Sequence, residues 1–158
     1  RADKGEVEYA HVRIPAPDAS SYAVHKSMQG NKRKDTKPEL LVRQRLREAG
    51  LGGYRLQWKV PGHPDVAWPG KKVALFIHGC YWHRCPHCNL SLPKKNTEYW
   101  VAKFNRNQER DAQNEAALIA DGWKVHVVWE CELKKGKREE TFAKLLPVLA
   151  HELGKELR

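Results

Sequence analysis

Eleven consecutive residues hold most of this chain's capacity for chemistry: His78-Gly79-Cys80-Tyr81-Trp82-His83-Arg84-Cys85-Pro86-His87-Cys88. Three of the four cysteines and three of the eight histidines lie within them, and Cys131 stands far downstream. Thiolates and imidazoles bind divalent metals, and an imidazole also moves protons near neutral pH. The segment is read as two sites sharing one loop, a structural metal knot and a catalytic centre.

The knot is written as Cys80-x4-Cys85-x2-Cys88, with Cys131 as the fourth ligand. Four thiolates suit the tetrahedral preference of structural zinc, and Cys85-x2-Cys88 has the spacing of a zinc knuckle. Bound zinc contributes about 10–16 kcal/mol of apparent folding free energy in small finger peptides, so it replaces core that a loop cannot build. His87 competes with Cys85 for a place, because imidazole is an equally acceptable ligand; choosing Cys85 uses every cysteine. Buried thiols or a redox pair are the metal-free alternative.

For the catalytic centre the candidates are Asp65, which follows Pro64 and opens a short apolar stretch, and His78, which ends the next one. They converge if the two stretches are adjacent strands that end together. A carboxylate with a backbone carbonyl and phosphate oxygens makes a hard-cation site suited to magnesium. A histidine beside it can transfer a proton, and Asp111 can orient that histidine. Plainer readings stand beside these. Asp65 can simply start a turn, Glu39 can cap its helix, Asp111 can face solvent, and His83 can ligate zinc.

Composition sets the frame for both sites. A chain of 158 residues is one ordinary domain. A net charge of +10 and a pI near 9.6 favour a polyanionic partner, nucleic acid first, over a merely soluble basic surface. No apolar run approaches the roughly 20 residues of a membrane span, and no apolar leader opens the chain. The expectation is a reducing compartment, where close-spaced cysteines hold metal rather than disulfides.

The elements that must position these residues follow from pattern. Residues 1–27 read as an irregular arm with Pro15, Pro17, Ser20 and Ser21, and 28–158 as the working domain. The basic stretch from Met28 to Asp35 is either a phosphate wrap or a solvated linker. Thr36 and Glu39 form a capping box that starts a helix with Leu40, Leu41, Val42 and Leu46 as apolar positions, stopped by Gly50. Tyr54–Val60 alternates as a strand with Tyr54, Leu56, Trp58 and Val60 on one face. Asp65–Trp68 is a short strand, and Lys72–His78 a central strand buried on both faces. A long helix runs from Thr97 to near Gly122, with Trp100, Phe104, Ala117, Leu118 and Ala120 as core candidates. On it, Lys103, Asn107 and Asp111 share a face. A strand over Trp123–Trp129 and a helix from about Glu139 to Leu153 complete an α/β fold, a small mixed sheet with helices on both faces.

Taken together, Met28-Gln29-Gly30-Asn31, Lys34-Asp35-Thr36-Lys37-Pro38-Glu39, Pro64-Asp65, His78-Gly79-Cys80-Tyr81-Trp82-His83, Thr97-Glu98-Tyr99-Trp100, Asn107-x2-Arg110-Asp111 and Gly122-Trp123-x5-Trp129-Glu130-Cys131 resemble the very short patch repair (Vsr) DNA mismatch endonucleases of bacteria. They span about Ser27 to Leu133 in the family's order. The resemblance implies a restriction-endonuclease-like core with structural zinc on Cys80, Cys85, Cys88 and Cys131, and with catalytic magnesium. Asp65 would hold the magnesium, with the carbonyl of Ile77 as a second ligand. His78 and His83 would be the catalytic histidines, His83 the base for the attacking water. Glu39, Asn107 and Asp111 would support the site. Met28, Tyr81, Trp82 and Trp100 would wedge into the duplex beside a T·G mismatch, where unstacking is cheaper by a few kcal/mol; packing in the core is the alternative for the aromatics.

The implied activity is nicking of one strand 5′ of the mismatched thymine. The expected partners are double-stranded DNA and mismatch-repair proteins, with no membrane, for a monomer in the bacterial cytoplasm at the nucleoid. Lys32, Arg33, Lys34, Lys94 and Lys95 are the candidate phosphate contacts. Two other readings stay open, a zinc-stabilised DNA-binding module with an inactive core and a nickase or restriction enzyme of different specificity. The chain departs from the wider nuclease pattern in one place. Leu75-Phe76-Ile77 has no acid-x-Lys, so His78 must substitute.

Overall fold

A computed structural model describes residues 34–158. The proposed arm, Met28, Lys32 and Arg33 lie outside the described residues. The elements are α1 (Lys37–Glu48), β1 (Arg55–Leu56), β2 (Val66–Trp68), β3 (Val73–His78), α2 (Cys80–His83), α3 (Thr97–Ala120), β4 (Lys124–Trp129) and α4 (Arg138–Leu153). One four-stranded sheet runs in the order β1-β2-β3-β4. β2 is antiparallel to β1 and β3, while β4 is parallel to β3, paired from Val73↔Lys124 to His78↔Trp129.

The strand period of two sorts the sheet's side chains between its faces. Val66, Trp68, Val73, Leu75, Ile77 and Val128 join Val42 and Leu46 of α1 and Phe142 and Leu149 of α4 in one core. Ala67, Ala74, Phe76 and Trp123 meet Leu118 of α3 in the other. β3 is covered on both sides, as its uninterrupted apolar sequence predicts, with Val73, Ala74 and Leu75 fully buried. The same parity puts Asp65, just before β2, and His78, at the end of β3, on the α3 face.

Several expectations are corrected. The strand over Tyr54–Val60 shrinks to Arg55–Leu56. Gln57 adopts φ 49°, in the left-handed region, which ends the alternation. Leu56 is left exposed, Tyr54 packs on the α1/α4 core, and Trp58 and Val60 pack on the α3 core. The chain then folds back so that the Gln57 and Trp58 amides donate to the Asp65 and Pro64 carbonyls. At Gly62, φ is +85° and a Cβ would come within 3.0 Å of the Phe76 ring, so only glycine fits this turn.

The predicted capping box at α1 does not form, because Glu39 reaches past the Thr36 N–H to the residue before it. Thr36 makes no side-chain cap, while Glu39 Oε1 accepts the Asp35 N–H at 2.9 Å. Leu40 points to solvent. On α3, Phe104 and Leu118 are buried, Trp100 is half-buried, and Ala117 and Ala120 are exposed, because the helix touches the sheet along a narrower stripe than its composition suggests.

Candidate functional site

Antiparallel pairing sets the start of β2 beside the end of β3. The two strands pair from Val66↔Leu75 to Trp68↔Val73 and stop there, leaving the Ile77 N–H beyond the ladder. Asp65 Oδ2 takes that N–H at 2.7 Å, so the carboxylate stands in for a missing strand. Its Oδ1 accepts from Gln57 Nε2 at 3.3 Å. Both donors are neutral. Burial therefore pushes the Asp65 carboxyl up to about 6, with Glu39 adding to the rise and the Ile77 amide opposing it.

His78 and His83 meet across the loop. Their rings are stacked, 4.0 Å between centroids and 5° from parallel. His83 Nδ1 lies 2.6 Å from Asp111 Oδ2 on α3, a charge-assisted hydrogen bond. His78 is flanked by Phe76 and by Trp129. Burial, and then the neighbouring His83, hold His78 down to about 4, so it is neutral at pH 7. The ligand atoms of His78, His83 and Asp111 lie within 4.8 Å of one another. A shared metal on both rings is nonetheless poor geometry, because stacked imidazoles direct their in-plane lone pairs side by side rather than at one point.

These groups line one cleft of about 450 Å³ whose walls include Glu39, Asp65, Ile77, His78, His83 and Asp111. Asn107 is not among them. Its Nδ2 donates to the Trp82 carbonyl at 3.2 Å, and it thus holds α2 against α3 one helical turn from Asp111.

The four thiols form a separate cluster. The Sγ atoms of Cys80, Cys85, Cys88 and Cys131 all lie within 4.8 Å of one another, with Cys85 and Cys131 3.7 Å apart. Amides of His87 and Cys131 donate to the sulfurs of Cys85 and Cys80. Burial pushes the Cys80 thiol up strongly and Cys131 to about 11; Cys85 is lowered despite burial, by the His87 amide and the neighbouring thiols. Four convergent soft donors with N–H···S support fit a tetrahedral metal such as zinc. The His87 side chain is exposed and lies outside the set, and His83 is committed to Asp111. Cys80 opens α2, and Cys131 sits in the 3₁₀ turn Glu130–Leu133 after β4. A metal there ties together the ends of two neighbouring parallel strands.

Over α3 lies an aromatic plate. Phe104 is buried beneath, Tyr81 meets it edge-on, and Trp82 and Trp100 lean on it. Tyr81, Trp82 and Trp100 are each half-buried, so neither core nor free surface describes them. The Arg84 guanidinium sits 4.2 Å over Phe104 and donates to the Tyr81 and Ser91 carbonyls. Lys34, Lys94 and Lys95 are exposed. Arg84, Gln57 and Arg43 are given no role by the sequence alone, although Arg84 lies within the cysteine-histidine segment. For Arg43 a signal exists all the same, its position four residues after Glu39 on α1.

The mixed sheet with flanking helices carries an acid and two imidazoles into one cleft of a strongly basic chain, and its fold is the restriction-endonuclease-like one that the matching family implies. The family described as "DNA mismatch endonuclease Vsr" matches residues 21–90. The type II nicking enzyme V.XorIIP of Xanthomonas oryzae is 45% identical over 108 residues, covering 67% of this chain and 78% of that protein. V.NmeAIP of Neisseria meningitidis is 45% identical over 102 residues, 64% and 72% of the two chains. DNA mismatch endonuclease Vsr of Escherichia coli is 37% identical over 111 residues, 69% and 70%. The chain belongs to the Vsr endonuclease family and is a DNA-cleaving hydrolase. Among the described residues no helix is long and apolar enough to cross a membrane.

Proposed function

We propose that this protein nicks one strand of duplex DNA 5′ of the thymine in a T·G mismatch, as a step of very short patch repair. The observation that carries the proposal is the convergence of Asp65 with the stacked His78–His83 pair in one cleft, beside a half-exposed aromatic plate.

A buried carboxylate bonded only to neutral donors suits a divalent cation, which would offset its desolvation. Asp65 is the residue that would hold magnesium. The N–H and C=O of a strand residue face the same edge, so the carbonyl of Ile77 faces the Asp65 side and is the second donor. Magnesium bound there would neutralise phosphate charge and lower the pKa of a water. His83 gives its Nδ1 proton to the hydrogen bond with Asp111, which leaves Nε2 free to accept a proton from the attacking water. His78, kept neutral by burial, holds the His83 ring flat against it without adding a second positive charge.

Tyr81, Trp82 and Trp100, with Met28, are the wedge. A mispaired step yields to inserted rings more readily than a paired one. Zinc on Cys80, Cys85, Cys88 and Cys131 would hold the loop that carries both wedge and base.

The test is nicking of end-labelled duplexes carrying every mismatch, with and without magnesium. Magnesium-dependent cleavage confined to T·G supports the reading, and equal cleavage of homoduplex overturns it. A related nickase of different specificity is the second reading, favoured by the names of two of the similar relatives. Competition among homoduplex, T·G and methylated duplexes separates the two. Asp65→Ala separates both from an inactive binding module, because it abolishes nicking and spares binding.

A further inference from the structure

Arg43 is a guanidinium buried to 7% exposure beside the cleft, four residues after Glu39, itself at 4%. Its Nη2 donates to Glu39 Oε1 at 3.1 Å and its Nη1 to Asp35 Oδ1 at 2.8 Å. The backbone N–H of Asp35 closes the ring on the same Glu39 Oε1 at 2.9 Å. Glu39 Oε1 thus takes two bonds, while Oε2 takes no bond among the described residues. Glu39 lines the cleft that holds Asp65, and the two carboxylates feel each other's charge.

Fold stability alone does not explain this arrangement. A buried ion pair is often no more stabilising than apolar side chains of the same volume. Arg43 Nε is also buried without a partner among the described residues, which adds a desolvation cost. The planar fork of arginine does what lysine cannot, since it bonds two acceptors at fixed angles and so locks the Glu39 rotamer on α1.

We infer that Arg43 is a positioning residue of the active site: it fixes Glu39 by one oxygen so that the other is offered to the cleft as a second carboxylate for the divalent cation held at Asp65. This rests on the metal-assisted reading of the cleft. Two carboxylates then share the cation, and Arg43 balances the charge of the one that Asp65 alone would repel.

The experiment measures Mn²⁺ affinity of the DNA-free, zinc-loaded protein by electron paramagnetic resonance, and nicking of a T·G duplex in parallel. Arg43→Met is expected to weaken Mn²⁺ binding about tenfold and to lower kcat about 10- to 100-fold with KM for DNA little changed, the range found when partners of metal ligands are removed. Arg43→Lys should recover part of both losses. Glu39→Gln should weaken Mn²⁺ binding as Arg43→Met does, and the double variant should add nothing further. Unchanged Mn²⁺ affinity in Arg43→Met, or additive losses in the double variant, overturns the inference. Should Arg43→Met fail to fold by circular dichroism, Arg43→Lys and Glu39→Gln decide, since Mn²⁺ affinity equal to wild type in both overturns it. Wild-type protein that neither binds Mn²⁺ nor nicks the mismatch would instead indict the functional reading itself.

Discussion

His83 is held between two elements, its ring face stacked 4.0 Å from His78 of β3 and its Nδ1 2.6 Å from Asp111 of α3. One contact fixes the plane of the imidazole and the other fixes its tautomer. Asp111→Asn keeps the size of the side chain and removes the charge that selects the Nδ1–H form. It is expected to lower single-turnover nicking about 100-fold or more, the scale of general-base catalysis. Affinity for the mismatched duplex should change little. Loss of binding together with loss of rate would show that Asp111 serves the fold instead.

Asp65 and His78 give opposing pH dependences of stability when magnesium is absent. The His78 pKa is depressed from 6.5 to about 4, so the unfolded chain binds more protons and stability falls as pH drops from 6.5 toward 4. The Asp65 pKa is raised from 3.8 to about 6, so the native state binds more protons and stability rises as pH drops from 6 toward 4. In wild type the two trends offset each other. Asp65→Asn is expected to unmask the first and His78→Asn the second. Urea unfolding of the magnesium-free proteins between pH 4 and 7 reads both slopes, and parallel curves for the two variants would refute the assignment.

Removal of the knot is expected to be structural in effect. Elemental analysis is expected to find one metal per wild-type chain, and Cys131→Ser should release it. A loss of a few kcal/mol at this chain length corresponds to a Tm fall of about 10 °C. A variant that keeps its metal and its Tm would remove Cys131 from the ligand set.

The aromatic plate should govern discrimination rather than affinity as such. Trp82→Ala is expected to weaken T·G binding by about 1–3 kcal/mol, the worth of one stacked base, while homoduplex binding changes far less. Equal losses on both duplexes, measured by fluorescence anisotropy, would return Trp82 to a packing role.

Gly62 lies against Phe76 in the turn that leads into Pro64 and Asp65. Gly62→Val is expected to strain a left-handed turn and press on Phe76, lowering stability and the rate of nicking together. Undiminished nicking in this variant would show that the turn adapts without moving Asp65.

Much of the fold and of the site is legible in the amino-acid sequence itself. β3 announces itself through its uninterrupted Val73–Ile77, because a strand covered on both faces has no polar side to show. The cysteine spacing forecasts the thiol cluster, but only the fold separates Cys85 from His87, since side-chain direction in an irregular loop leaves no trace in spacing. Tyr54–Val60 misleads for a related reason. Its alternation is real, yet a left-handed Gln57 rotates the chain midway, and a non-glycine in that conformation has no sequence signature. Arg43 is readable as a helix pair with Glu39, but its burial depends on where α1 docks.

Tyr81, Trp82 and His83 occupy consecutive positions in α2, a helix of barely one turn. So short a piece, anchored by Asn107, Asp111 and the thiol cluster, sets rings and imidazole at a fixed offset as a single body. If the rings must slide between bases for that body to settle, a duplex that refuses them also withholds the proton acceptor from the backbone. Proofreading of the pairing and severing of the strand would then be one motion, and correctly matched DNA could be gripped indefinitely without being cut.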